Sequence, residues 1–347
     1  MKAVALTGVS KLEICEKSLP EVDEYSILLK VRAVSVCGSD LRVFKNGDDR
    51  VSYPRILGHE IAGEIVAKGT FVQNFAIGDR VCLGAHVPCG ECQYCQENLG
   101  HHCVQRWTVG YQFDGGFAEY VVLNRLVVEN GSICKIANQT SFEEGSLSEP
   151  FSCVISGLRK LSIKAGEAVT VYGAGAIGCM FIAALKKMGV GKIIVVQRSS
   201  ERRKFAKQIG ADVCIDPGTK DIEQQILKET GGYGCDAAII TVPSNEMQNL
   251  ALSSVRKTGR VLFFAGLPKK DRTNYQLDTN QITYKELSIF GVHGASKSDH
   301  KEAVRWIDEK LIDFSIFITN RYRLEETEKA FTENTDQLVV KKVIVPH

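Results

Sequence analysis

Val169-Thr170-Val171-Tyr172-Gly173-Ala174-Gly175-Ala176-Ile177-Gly178 runs from a short apolar segment into a glycine-rich turn and on into Cys179-Met180-Phe181-Ile182. The pattern GxGxxG is weak by itself, but between a strand and the start of a helix it predicts a dinucleotide-binding turn. Each glycine then has a physical task. Gly173 permits the tight turn, Gly175 lets a pyrophosphate approach the backbone, and Gly178 lets helix and strand pack closely. Ala176 and Ile177 open a helix whose free N–H groups face the phosphates. About 20 residues beyond such a loop an Asp or Glu normally accepts hydrogen bonds from the adenosine ribose. This chain has Gln197 there, followed by Arg198 and then Arg202-Arg203. A neutral Gln does not repel the extra phosphate of NADP, and an arginine can pair with it bidentately. Gln197, Arg198 and Arg203 are therefore expected to favour NADP over NAD, with Arg198 carrying most of the weight. The bland alternative for Arg202 and Arg203 is a solvated helix face.

Outward from this loop the chain has two rhythms. Strands at 169–172, 192–196, 213–215, 237–242 and 260–265 alternate with helices from Ala176, from Ser200, over 222–229 and near 247–255. Such alternation predicts a parallel sheet covered on both faces. The first 150 residues read instead as short β segments, such as 27–36, broken by Gly, Pro and Asp turns, which predicts an all-β half with long loops. The closing segment carries a strand at 289–292, helices at 301–311 and 324–331, and a strand at 342–345. A length of 347 residues suits about two domains, and 44% apolar with 24% charged residues excludes a disordered chain. Lys and Arg at 43 against Asp and Glu at 41 argue against nucleic acid or an anionic membrane as partner. The amino terminus has no sustained apolar core, and the most apolar stretch, 169–185, is broken by three glycines, so a cytoplasmic, non-membrane protein is expected.

Twelve cysteines are many for such a chain, because cytosolic thiols stay reduced and structural disulfides are rare there. Cys89, Cys92, Cys95 and Cys103 crowd into fifteen residues and place four thiolates within reach of one tetrahedral ion, the pattern of a closed structural zinc site. An iron–sulfur cluster is the lesser option, since the last gap is seven residues rather than three and no Pro follows. A nucleic-acid zinc finger is the other, disfavoured by Glu91 and Glu97 in the loop. Cys15, Cys82, Cys134, Cys153, Cys179, Cys214 and Cys235 sit singly and read as small core residues. A second, dispersed set consists of Cys37, His59-Glu60 and Glu149, each weak alone. Their convergence in space is not visible from spacing.

Together these segments resemble the zinc-dependent medium-chain dehydrogenase/reductases. The carriers are Gly58-His59-Glu60-Ile61-Ala62-Gly63 with Gly69 and Val72, Cys37-Gly38-Ser39-Asp40, the four-cysteine lobe, 114–120 and the 173–178 loop, in the family's order. Glu149-Pro150 stands where liver-type alcohol dehydrogenases have a cysteine ligand, so the likeness is to the sorbitol, threonine and galactitol-phosphate dehydrogenase branch. The resemblance implies an α/β plus all-β architecture: a GroES-like catalytic domain with an inserted Rossmann domain, a doubly wound parallel sheet. The expected division is 1–152 for the first part of the catalytic domain, 153–290 for the Rossmann domain and 291–347 for the return. It further implies that Cys37 and His59 ligate a catalytic zinc, that Glu60 and Glu149 ligate it directly or through water, and that a second, structural zinc sits among the four cysteines. Ser39 matches the hydroxyl residue that contacts the reacting oxygen and passes its proton on. Two departures stand out: Arg42 replaces a common relay histidine, and 291–295 lacks the Arg-Tyr pair of animal sorbitol dehydrogenases, leaving His293 as a speculative substrate contact.

The implied function is hydride transfer between NADP(H) and a secondary alcohol of a polyol, sugar or sugar phosphate by a homodimer or homotetramer. The enzymic competitor is L-threonine 3-dehydrogenase. A non-catalytic NADPH-binding zinc protein is the alternative of another class.

Overall fold

The structure, a computed structural model, describes residues 1–218, 221–268, 275–333 and 338–347. The chain divides into two compact units, Met1–Cys153 with Gly294–His347, and Val154–His293.

Ile27–Ser35 is the hub of the first unit. Its sequence buries Leu29, Val31 and Ala33 completely while Lys30 and Arg32 reach the wetter face, which is the period-two signature of a strand. Antiparallel neighbours are Glu60–Lys68, Tyr120–Leu123 and Lys341–Val345. Arg80–Leu83 and Ile133–Lys135 extend the sheet on one side and Ile318–Arg323 on the other. Phe44 and Phe117 each meet Phe331 edge-on at 5.5 Å in the core beneath it. The register places the chemistry. Ser35 stands opposite both Glu60 and Val343, and antiparallel strands run in opposite directions. Continuing two residues past Ser35 therefore brings Cys37 to the level of Lys341, with His59 and Glu60 at the same end of the sheet.

The second unit is a six-stranded parallel sheet in the order Val213–Ile215, Lys192–Val196, Ala168–Tyr172, Cys235–Ile240, Val255–Phe263, Ser288–Gly291. Strand order reverses between Ala168–Tyr172 and Cys235–Ile240, which is where doubly wound sheets bind ligands at their carboxyl ends. Ile193, Ile194, Val195, Val169 and Val171 are fully buried, as strands covered on both faces require. The longest helix of the described residues, Ser148–Leu161, is only 14 residues, and no helix among them is long and apolar enough to cross a membrane.

Several elements differ in extent from the sequence reading. The strand expected at 260–265 is Val255–Phe263, because Val255 already pairs with Cys235. The helix expected at 301–311 is Lys297–Asp308, started by a capping box in which Ser296 and Asp299 bond each other's backbone N–H. Ile318–Arg323, unforeseen, is a strand parallel to Lys341–Val345. The first half also carries short helices, among them Gly38–Asn46 and Arg125–Asn130.

His300 pins the return helix to the rest of its unit. Its Nδ1 lies 2.9 Å from Ser132 Oγ and its Nε2 3.0 Å from Ser148 Oγ. The thiols of Cys134 and Cys82, cross-strand partners, lie 3.4 and 3.9 Å from the ring. Burial pulls the imidazole down to about 4. The unfolded chain takes up this proton near 6.5 and the folded chain only near 4, so stability is retained above pH 6.5 and falls as pH drops toward 4. Relative to a His300→Asn variant, the wild type is expected to lose on the order of 3 kcal/mol across that window, read by urea titration at each pH.

Candidate metal and dinucleotide sites

Cys89, Cys92, Cys95 and Cys103 bring four sulfurs within 4.8 Å of one another. The Sγ–Sγ distances are 3.5 Å for Cys92–Cys95, 3.7 Å for Cys92–Cys103 and 3.8 Å for Cys89–Cys95. A tetrahedral ion with bonds of about 2.3 Å to sulfur needs edges of about 3.8 Å. The cage thus fits one zinc-sized ion and leaves no room for a multi-iron cluster. Backbone N–H groups of Cys89 and Gln105 point at Cys103 Sγ from 3.2 and 3.3 Å, and Cys92 N donates to Cys89 Sγ at 3.4 Å. These donors favour thiolates. Backbone hydrogen bonds bring Cys92 down to about 6, whereas burial and the neighbouring thiols drive Cys95 up to about 12. Thiols this close cannot all ionise unless a cation shares their charge.

Of the dispersed set three residues converge, while Glu149 lies outside that group and feels the charges of His59 and Glu60. Ligand atoms of Cys37, His59 and Glu60 lie within 4.8 Å of one another. Cys37 caps the helix Gly38–Asn46, and its N–H donates to Asp40 Oδ2 at 2.9 Å. The other oxygen of the fully buried Asp40 is 3.3 Å from His59 Nδ1, and Ser39 Oγ is 3.5 Å from His59 Nε2. Burial opposes a charged His59, but Asp40 and Cys37 overcome it and hold the imidazole well above its usual range. Glu60, 0% exposed, accepts through Oε2 from Ser35 and from the buried Lys341 ammonium. Its Oε1 is buried with no hydrogen-bond partner among the described residues. Glu149 starts the helix Ser148–Leu161 and is pushed up to about 7, first by burial; His59 opposes this and Glu60 adds to it.

This donor set fits a dication. Asp40, Glu60 and Glu149 are buried acids beside a thiol, with Lys341 as the buried lysine facing them. The orphaned Glu60 Oε1 is the kind of buried acceptor that a metal satisfies. Sequence reasoning missed Asp40 as the partner of His59, and it missed Lys341. It also missed Tyr111, whose ring meets His59 edge-on at 6.2 Å. Among the lone cysteines, Cys82, Cys134, Cys179 and Cys235 are buried and Cys15, Cys153 and Cys214 partly so. Cys153 lies one helical turn after Glu149, and the charges of Glu149 and Cys37 add to burial in raising its thiol pKa. A cavity of about 410 Å³ in the first unit is lined in part by Glu149, Ser152, His86 and His101.

In the second unit the glycine loop follows Ala168–Tyr172 and opens the helix Ala176–Lys187. Gly173 has φ +99, and a Cβ there would strike Val242 at 2.5 Å. At Gly178 it would come within 2.0 Å of Gly173 O, whereas at Gly175 it would meet nothing within 4 Å. Gly173 and Gly178 are thus fixed by the fold, whereas Gly175 borders open space. Gln197 accepts from Ala174 N–H at 3.2 Å, and Arg202 donates to Ala174 O at 2.9 Å. Arg198 is exposed. Arg203, read as a cofactor contact or a solvated side chain, instead donates to the carbonyls of Gln197 and Arg198 and pairs with Asp216 at 2.9 Å. His293, exposed, is the last residue of this unit.

Two family models match the chain. Residues 23–130 match the alcohol dehydrogenase GroES-like domain and residues 176–309 the zinc-binding dehydrogenase domain. Sorbitol dehydrogenase of Bacillus subtilis is 31% identical over 95% of this chain and 92% of its own. L-Threonine 3-dehydrogenase of Pyrococcus horikoshii is 31% identical over 92% and 90%, and D-arabitol-phosphate dehydrogenase of Enterococcus avium 28% over 97% and 94%. A crystal structure from Sinorhizobium meliloti 1021, described as a zinc-binding dehydrogenase bound to NADP, superposes with a TM-score of 0.92 at 26% identity and 99% coverage of both chains.

The Lys341–Glu60 pair yields a stability prediction. Removing one member of a buried ion pair leaves the other charge uncompensated, at about 3–5 kcal/mol. Lys341→Met is expected to destabilise the metal-free protein by that amount in chemical denaturation, and Lys341→Met with Glu60→Gln by markedly less.

Proposed function

Because the chain belongs to the zinc-dependent medium-chain dehydrogenases, oxidoreductases acting on CH–OH groups, we propose that it oxidises a secondary alcohol of a polyol or sugar derivative, phosphorylated or not, with NADP as hydride acceptor. The observation that carries this reading is the meeting of Cys37, His59 and Glu60 at one end of the sheet, with Glu60 Oε1 buried and without a hydrogen-bond partner among the described residues.

Cys37, His59, Glu60 and Glu149 would hold a catalytic zinc, and Cys89, Cys92, Cys95 and Cys103 a structural one. When bound, the catalytic ion supplies Lewis acidity that favours the ionised form of the substrate hydroxyl, so that hydride can leave the carbinol carbon for the nicotinamide. The chain's own residues do the rest. Asp40 holds His59 through Nδ1, leaving Nε2 on the side of Ser39. Lys341 and Ser35 occupy Glu60 Oε2 and so orient Oε1. Ser39 Oγ would relay the hydroxyl proton, releasing its own toward solvent as it takes the substrate's. In the second unit the N–H groups after Gly175 would bind the pyrophosphate, and Arg198, exposed beside a neutral Gln197, would pair with the 2′-phosphate of NADP. The working form is a homodimer or homotetramer. Threonine oxidation is the second reading, favoured by the similarity to the Pyrococcus enzyme.

Initial rates at fixed zinc, with NADP and NAD in turn against polyols, polyol phosphates, inositols and threonine, test both. Turnover of a secondary polyol with NADP well ahead of NAD upholds the first reading, and preferential turnover of threonine replaces it with the second. Cys37→Ser is expected to abolish turnover in a protein that stays folded; near wild-type rate with full zinc content would remove Cys37 from catalysis. Gln197→Asp with Arg198→Ile is expected to reverse the ratio of kcat/KM for NADP over NAD, and an unchanged ratio would refute the cofactor assignment.

A further inference from the structure

All the residues that line the cavity of about 410 Å³ belong to the first unit. One wall is Gly84-Ala85-His86. Ala62 stands opposite Cys82, so Glu60, two residues back along one antiparallel strand, is level with Gly84, two residues on along the other. The Ala85 carbonyl accepts from Val109 N–H at 3.1 Å, and two residues beyond Val109 the Tyr111 ring meets His59. The cavity therefore begins beside the end of the sheet where Cys37, His59 and Glu60 gather. Its other walls come from Glu149 and Ser152, from the four-cysteine lobe through Asn98 and His101, and from the start of the return helix Lys297–Asp308.

The His86 ring has a place kept for it. Gly294 has φ +70, and a Cβ there would lie 2.4 Å from His86 Nε2. Other lining groups have given protons to the protein and keep oxygen acceptors. Ser152, 2% exposed, donates through Oγ to the Glu149 carbonyl at 2.5 Å, and Asn130 donates through Nδ2 to the Cys89 carbonyl at 3.1 Å. Glu149, 9% exposed, adds a carboxylate. Against these, Lys297 is the one lining ammonium among the described residues, and it is exposed. A carboxylate or a doubly charged phosphate has no proton to give such acceptors, and taking it out of water with one exposed cation to answer it is costly. A hydroxyl donates and accepts at once, so a chain of hydroxyls finds partners in the same walls. The volume is that of a small-molecule site.

We infer that this cavity receives the unphosphorylated, hydroxyl-bearing chain of the substrate beyond the oxidised carbon, with His86, Asn130 and Ser152 as its specificity-determining contacts. The inference rests on the dehydrogenase reading above and narrows its substrate class to neutral polyols. It also makes the four-cysteine lobe, which carries Asn98 and His101, a wall of the substrate site.

The test compares sorbitol, mannitol and galactitol, a phosphate monoester of each, and 2-hexanol, with the zinc-loaded enzyme and NADP. In the wild type kcat/KM for the best hexitol is expected to exceed that for 2-hexanol on the order of a hundredfold and that for its own phosphate by about tenfold. Ala295→Phe, which adds bulk at a lining position, is expected to cut the preference for hexitol over 2-hexanol about tenfold, through KM. Ser152→Ala, which removes an acceptor without adding bulk, is expected to cut it about fivefold and decides the matter should Ala295→Phe fail to fold. A purely structural role would lower the rates on all compounds alike. Use of 2-hexanol or of a phosphate as efficient as that of the best hexitol would overturn the inference and leave the dehydrogenase reading intact. A preference unchanged in Ser152→Ala and in a folded Ala295→Phe would overturn it too. If no compound turns over, the dehydrogenase reading is what fails for them, and saturation-transfer NMR of the three hexitols on the zinc-loaded protein decides the cavity. A signal that Ser152→Ala weakens upholds it, and no signal, or one that the variant leaves unchanged, overturns it.

Discussion

The buried ammonium of Lys341 against the buried carboxylate of Glu60 is the contact on which the first unit's chemistry depends. An ion pair taken out of water is seldom a net source of stability, because desolvation offsets most of the attraction. Here the pair has a positional consequence. It joins the last strand, Lys341–Val345, to the start of Glu60–Lys68 across the hub strand Ile27–Ser35. The Lys341 ammonium also donates to the Val36 carbonyl at 3.1 Å, immediately before Cys37. Three chain segments that carry or support the candidate ligands are thereby held to one geometry. The pair also selects which Glu60 oxygen is left over, and that selection turns a buried acid into an oriented one.

Charge around this pair remains unbalanced. Asp40 is committed to His59 and to the backbone of Cys37, and Lys341 answers Glu60, so among the described residues the Cys37 thiol and Glu149 have no cation of their own beyond these. The displacement of Glu149 to about 7 expresses the same imbalance: burial and Glu60 hold its proton on. A dication among these ligands would reverse the direction, since a nearby positive charge favours the ionised carboxylate and thiolate. The four-cysteine lobe solves a related problem by other means. It is partly exposed, and its charge is spread over backbone N–H donors to sulfur, which suits a closed ion that shapes a loop rather than one that must accept a substrate.

What could be read in advance followed from distance along the chain. The 173–178 loop and the 89–103 cysteines are local patterns, and glycine conformation and tetrahedral geometry need only neighbours to be recognised. Cys37, His59 and Glu60 were legible only through resemblance, because their meeting depends on strand register. Lys341 gave no signal, since one lysine of a Lys341-Lys342 pair in an apolar strand reads as an edge charge. Its burial follows from alternation, which turns one of the two inward, and from a partner 281 positions away. His300 was hidden in the same way, its partners Ser132 and Ser148 coming from distant segments. The Ser296-x-x-Asp299 capping box was a local signal left unread, and it accounts for the helix that starts at Lys297 rather than 301.

The second unit refines where cofactor selectivity would come from. Arg203 spends its guanidinium on the Gln197 and Arg198 carbonyls and on Asp216, so it shapes the end of Lys192–Val196 instead of reaching outward. Gln197 turns its side-chain oxygen back onto Ala174 N–H, tying that strand end to the glycine loop. Neither residue offers a cation to a 2′-phosphate, and neither places a carboxylate where one would repel it. On the proposed reading, preference for NADP then rests on Arg198 together with the absence of repulsion. One solvent-exposed, salt-screened arginine gives a modest attraction, whereas a carboxylate at position 197 would act on NAD by accepting ribose hydrogen bonds and on NADP by charge repulsion. The two substitutions that exchange these features therefore act on opposite cofactors, and the larger change is expected from position 197.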